Sequence, residues 1–102
     1  MIKNLTPHKI ILPICELEPY SDVIPRCKEM SINLDKIEGI EIIGRSYGEV
    51  ENLPEPEKGV FLIVSSMIRL ASPKRNDLLS PGDLIRDKDG QIIGAKNLIQ
   101  SL

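Results

Sequence analysis

Hydrophobic residues recur along this 102-residue chain in short runs, cut apart by eight prolines and seven glycines. The longest unbroken run, Val60-Phe-Leu-Ile-Val64, has no polar position. That is the pattern of a strand covered on both faces. Ser65-Ser66 follows and opens a short helical pattern, Ser66 to about Ala71, which Ser72-Pro73 ends. A helix this short holds only when packed on a sheet. Elsewhere the β-branched residues crowd between punctuating residues, which suits strands. Ile2–Leu5 and Lys9–Ile14 read as a first hairpin or bent strand with Thr6-Pro7 at the bend, and Pro13 belongs at a strand end or edge. Glu18–Asp22 reads as a turn. Val23–Leu34 resumes with a weak alternation, and Ile37–Tyr47 reads as a strand with Gly39 and Gly44 at a bulge or close approach. Leu53–Gly59, stiffened by two prolines, is a connecting loop. Asp83-Leu-Ile-Arg86 and Gln91-Ile-Ile-Gly94, joined through Asp87-Lys-Asp-Gly90, form a C-terminal hairpin, because Asp and Gly tolerate the left-handed backbone of a tight turn.

These elements predict a mainly β (α+β) fold over residues 1–102, one domain. The expectation is a compact β-sheet or barrel-like domain with one short helix after a buried central strand. The core must be built from Ile, Leu and Val, since the chain has one Phe, two Tyr and no Trp.

Charge narrows the partners. Thirteen basic and 15 acidic residues are interspersed and give a net charge of −2, so no global field attracts a nucleic-acid backbone. The three aromatics also supply few stacking platforms for RNA. No run is long enough to span a bilayer, and the first residues lack the apolar stretch of a secretion signal, so a cytoplasmic location is expected. Cys15 and Cys27 match no zinc or redox spacing and are expected to be reduced. No cofactor or metal is expected.

Candidate chemistry is spread over several places. The N–H groups at the start of the helix, with Ser65, Ser66, Arg69 and Arg75, could hold a phosphate or carboxylate. The structural alternative is that a serine caps the helix and the arginines are solvated. Asn4, Thr6 and His8 alternate and would share one face of a strand, either contacting a nucleotide or facing water. Arg75 and Asp77 either grip phosphate and ribose or pair with each other. Tyr47, between Gly44 and Gly48, either stacks on a base or closes a sheet edge. Asp87-x-Asp89-Gly90 lacks the remaining ligands of a calcium loop and reads as a turn.

Asn4-Leu-Thr-Pro-His8, Tyr47-Gly-Glu-Val-Glu-Asn-Leu-Pro54, Val64-Ser65, Arg75-x-Asp77-Leu, Pro81-Gly82 and Arg86-Asp-x-x-Gly90 together resemble a group of small proteins of phages, prophages and actinobacterial genomes. Most of that family has no assigned activity. The resemblance implies an accessory phage context, in which a counter-defence protein could trap a nucleotide immune signal.

The function expected from these observations is non-enzymatic capture of a small nucleotide-derived anion, such as a cyclic ADP-ribose-like or cyclic dinucleotide signal. Asn4, Thr6, His8, Tyr47, Ser65, Ser66, Arg69, Arg75 and Asp77 are its candidate ligands. The domain is too small to spare much interior, so the site is expected at a boundary in a homo-oligomer. One alternative is a phosphodiesterase-like enzyme with His8 as general acid or base and Thr6 or Arg75 steadying charge. Another is a protein that blocks a host enzyme by surface contact, whose mark is a contiguous exposed apolar patch with an aromatic or Arg anchor; the Leu78-Leu79 and Leu98-Ile99 pairs either supply that surface or belong to the core.

Overall fold

The computed structural model describes residues 1–102. It is mainly β: 43% of the chain is strand, with one short helix and several small sheets that do not close into a barrel. In chain order the elements are β1 (Ile2–Asn4), β2 (Ile10–Ile11), β3 (Glu16–Leu17), β4 (Arg26–Asn33), β5 (Ile43–Glu51), β6 (Phe61–Ile63), α1 (Ser66–Ala71), β7 (Leu78–Pro81), β8 (Leu84–Arg86), β9 (Ile92–Ala95) and β10 (Leu98–Gln100).

The core sheet has the order β1-β6-β7-β10. Strand β6 is central and parallel to both β1 and β7, while β10 closes the far edge antiparallel to β7. The central place explains the unbroken apolar run: successive residues Leu62, Ile63 and Val64 point to opposite faces and all are buried. The helix has the bounds expected from sequence and forms the crossover from β6 to β7. Its Ile68 packs with Leu5, Leu62, Val64 and Leu78 in a single core cluster, against which Cys27, Val50, Leu53 and Val60 lean.

The C-terminal hairpin also forms as expected, β8 pairing with β9. Its turn is organised by Asp87, whose Oδ1 accepts the N–H groups of Asp89 and Gln91, and Gly90 takes the positive φ of 81°.

Two expectations are corrected. Ile2–Leu5 and Lys9–Ile14 do not pair with each other: β1 joins the core sheet, and β2 turns at Pro13-Ile14 to pair with β3. Ile37–Tyr47 is not one strand. The chain reverses at Glu38-Gly39, where both residues have positive φ (52° and 82°) and Ile37 and Ile40 exchange backbone hydrogen bonds at 3.0 and 2.9 Å. This two-residue turn with both φ positive matches the right-handed twist of the flanking strands. It joins β4 and β5 into one long antiparallel ribbon running from Arg26 to Glu51.

Near its base the ribbon slips register, so that Gly48 and Glu49 together oppose Lys28. A Cβ at Gly48 would lie 3.3 Å from the Lys28 carbonyl, which leaves little room for a side chain there. Below this bulge Cys27 and Val50 rest on the core. Above it, every residue from Lys28 to Glu41 is exposed. The ribbon is therefore an arm that leaves the body, and the molecule measures 48 × 40 × 27 Å with a radius of gyration of 16.2 Å. A compact domain of this length has a radius of about 13 Å.

Candidate functional site

Most of the residues expected to bind an anion are already engaged within the fold. Asn4, 2% exposed, is the hub of the N-terminal region. Its Nδ2 donates to the carbonyls of His8 (2.8 Å) and Leu17 (2.9 Å), and its Oδ1 accepts the N–H (3.0 Å) and hydroxyl (2.7 Å) of Thr6. That fills the four hydrogen-bonding positions of an amide side chain. The Asn4 carbonyl also accepts from Tyr20 N–H at 2.8 Å. Asn4 thus ties β1 to the 6–8 bend and to β3. The bend carries His8 outward, so His8 is exposed while Asn4 and Thr6 are buried. No solvent-facing stripe of the three exists, because β1 ends at Asn4.

At the helix, Ser65 caps as the structural alternative required, its Oγ accepting Ile68 N–H at 3.3 Å. Ser66 is the first helical residue and exposed. Arg69 points away from the serines. From the last turn its Nε donates to Ser80 Oγ and its Nη1 to Ser101 Oγ, each at 2.8 Å, fastening α1 to β7 and to the C-terminal end. Arg75 and Asp77 form a two-pronged ion pair, and Arg75 Nη2 also donates to the Pro54 carbonyl at 2.9 Å. These hydrogen bonds hold the Asp77 carboxyl below its ordinary range against the opposing effect of burial, and they raise Arg75 correspondingly. Tyr47 lies on the arm, opposite Glu29, and Glu29 in turn binds Arg45 at 3.1 Å.

The structure therefore disperses the nine candidates. Thr6 and Ser65 share a crevice of about 40 Å³. Asp77 lines a cleft of about 150 Å³ with Lys3, Tyr20, Glu55 and Glu57, where Lys3 Nζ sits 4.7 Å from the Tyr20 ring centre. Three carboxylates against one lysine make that cleft unsuited to an anion; Ser65 also borders an open pocket of about 340 Å³ with Arg26 and Met67, and Asp77 one of about 390 Å³ with Lys58, Asn76 and Gln100, and neither gathers a further candidate. Every buried side-chain nitrogen and oxygen has a hydrogen-bond partner. No group of three His, Cys, Asp or Glu side chains comes together as a metal site, and both cysteines are free thiols.

The feature the sequence reading passed over is the arm. Cross-strand partners share a face, so Met30 with Ser46, Ile32 with Gly44, and Leu34 with Ile42 line one side. Leu34 leans across Gly44, its Cδ1 lying 3.5 Å from where a Cβ would be. That side is apolar from Met30 to Ile42, and Ile32 is 60% exposed on it. The opposite side carries Glu29, Ser31, Asn33, Arg45, Tyr47 and Ile43. Ile37 and Ile40 flank the turn, Ile40 at 63% exposure. The missed signal was local: apolar alternation on both sides of a Glu-Gly pair marks a hairpin once Glu is allowed in the left-handed position.

A second apolar surface is a groove of about 480 Å³ between the β2–β3 and β8–β9 hairpins, walled by Ile10, Ile11, Leu84, Ile92 and Ile93. Comparison with protein-family models, with curated proteins and with solved structures found no match to this chain.

Proposed function

We propose that the chain is a non-enzymatic protein-interaction protein that works by surface contact through the β4–β5 arm. The observation that carries this reading is the contiguous apolar side from Met30 to Ile42 on an arm that leaves the body, backed by Tyr47 and Arg45 on its other side. Large exposed apolar patches are uncommon on proteins that stay single, and they mark interaction sites. An isolated two-stranded ribbon is also marginal in water, so a partner that covers it stabilises it.

Capture of a nucleotide-derived anion draws no support from a single chain, because Asn4, Thr6, Arg69, Arg75 and Asp77 spend their polar groups internally. The cleavage reading has only His8 left, exposed on a bend with its proposed partners committed elsewhere.

The test is photo-crosslinking in the expressing cell, with a benzophenone amino acid in place of Ile32 and, as control, in place of Asp89. Discrete protein adducts at Ile32 and none at Asp89 are expected. An arm that gives no protein adduct sinks the reading.

A further inference from the structure

We propose that the apolar side of the β4–β5 arm is covered in solution by the same side of a second copy of this chain. The inference rests on the reading of the arm as the interaction surface and names its occupant.

Three observations select a second copy. The first is area. The chain exposes 7705 Å², whereas a folded monomer of 11.4 kDa exposes roughly 5,800 Å² by the usual scaling with mass. The excess of roughly 1,900 Å² is spread over the whole chain, and the arm, exposed from Lys28 to Glu41, contributes to it; it is more than the roughly 800 Å² that one partner gives to a standard interface.

The second is charge. In a two-fold contact each residue near the axis meets its own copy, so any charge there faces a like charge. Between Met30 and Leu34, and on the facing segment Ile42 to Ser46, this side of the arm presents only Met30, Ile32, Leu34, Ile42, Gly44 and Ser46. The charges of the arm lie on its other side, where Glu29 and Arg45 neutralise each other, or at the ends, at Lys28 near the base and at Asp35, Lys36 and Glu41 near the turn. A face free of charge at its middle suits an identical partner.

The third is shape. Gly44 and Ser46 keep the β5 half of the face low, so the side chains of β4 can approach a second ribbon without obstruction. Two such ribbons packed face to face make a small apolar layer, which supplies what one ribbon alone lacks.

The experiment is sedimentation equilibrium and light scattering on the full chain from micromolar to millimolar concentration. Wild type is expected at twice 11.4 kDa, and Ile32→Asp, which sets two carboxylates against each other at the axis, at the single-chain mass, with dimer association weakened on the order of a hundredfold or more. Ser31→Asp, on the other side of the arm, is expected to keep the wild-type mass. A wild type that stays at 11.4 kDa throughout, or an Ile32→Asp variant of unchanged mass, overturns the proposal. Should Ile32→Asp fail to fold by circular dichroism, amide exchange of the wild type decides. Protection of residues 28–34 and 42–47 that falls on dilution supports the proposal, and protection independent of concentration overturns it. A monomeric wild type whose Ile32 crosslinks only to foreign protein overturns the second copy and leaves the interaction reading standing, whereas an arm that crosslinks to nothing removes both.

Discussion

Arg75 and Asp77 are joined by two parallel hydrogen bonds, Nε to Oδ1 and Nη2 to Oδ2, each 2.8 Å long. The third bond, from Arg75 Nη2 to the Pro54 carbonyl, pins the proline-rich loop before β6 to the start of β7. The pair is therefore a staple between two segments that are neighbours only in space. Removing the carboxylate leaves a half-buried guanidinium without its partner, and hydrogen bonds to charged groups are worth about 1.5–3 kcal/mol.

Asp77→Asn should accordingly lower stability by about 1–3 kcal/mol at pH 7 in urea unfolding. Because folding lowers the carboxyl pKa of Asp77, its contribution is fully present above the unfolded value of about 4 and is lost as pH falls through the lower folded value. The gap between variant and wild type should shrink as pH drops below about 4. A gap constant down to about pH 2.5 would contradict the assignment.

Asn4 is the most constrained polar residue. Truncation to Ala takes away the side-chain donor to the part-buried Leu17 carbonyl and the acceptor of the buried Thr6 N–H, while the His8 carbonyl and the Thr6 hydroxyl keep each other at 3.0 Å, and each unsatisfied buried group costs about 1–3 kcal/mol. Asn4→Ala should destabilise by about 3 kcal/mol or more, while Thr6→Val, which keeps the volume, should cost about 1–2 kcal/mol. Equal stability of Asn4→Ala and wild type in urea unfolding would remove the hub.

What was legible in the sequence was what local physics decides. The run Val60–Val64 reads as a central strand, and Phe61–Ile63 takes that place with Phe61 still 39% exposed; Ser65 and Pro73 bracket the helix, and Asp87 to Gly90 reads as a turn. Period-two spacing placed Asn4 and Thr6 together correctly but could not say which way they face, because the strand ends at Asn4 and the chain bends inward. Arg75 and Asp77 stood two residues apart with two equal readings, and their two direct 2.8 Å bonds decide for the pair. Arg69 reaches Ser101 across 32 residues, a contact no local pattern announces. The arm was hidden by one residue: Glu at position 38 takes a conformation that Asn or Asp usually signals.

The C-terminal turn separates two aspartates that look alike in sequence. Asp87 Oδ1 receives two backbone N–H groups, whereas Asp89 contributes its own N–H to that carboxylate and is exposed. Asp87→Ala should cost about 1 kcal/mol, in the range of a lost capping acceptor, and Asp89→Ala should stay within about 0.5 kcal/mol of wild type. Thermal unfolding of the two variants side by side decides; a larger loss at Asp89 would reverse the roles.

The arm turn offers a change in the opposite direction. Glu38 and Gly39 both hold positive φ, and Glu pays for that backbone without any local hydrogen bond from its side chain. Asn adopts the left-handed region more readily and is the preferred first residue of this turn, so Glu38→Asn should stabilise the arm by about 0.5–1 kcal/mol. Gly39→Val meets open space, since nothing lies within 4 Å of a Cβ there. Its cost is therefore conformational alone, about 1–2 kcal/mol for a β-branched residue at φ of 82°. Amide exchange at Ile37 and Ile40, whose backbone hydrogen bonds close the turn, should slow in Glu38→Asn and quicken in Gly39→Val. If both variants exchange at the wild-type rate, the turn does not control the arm, and the backbone reading of the Glu38-Gly39 pair fails.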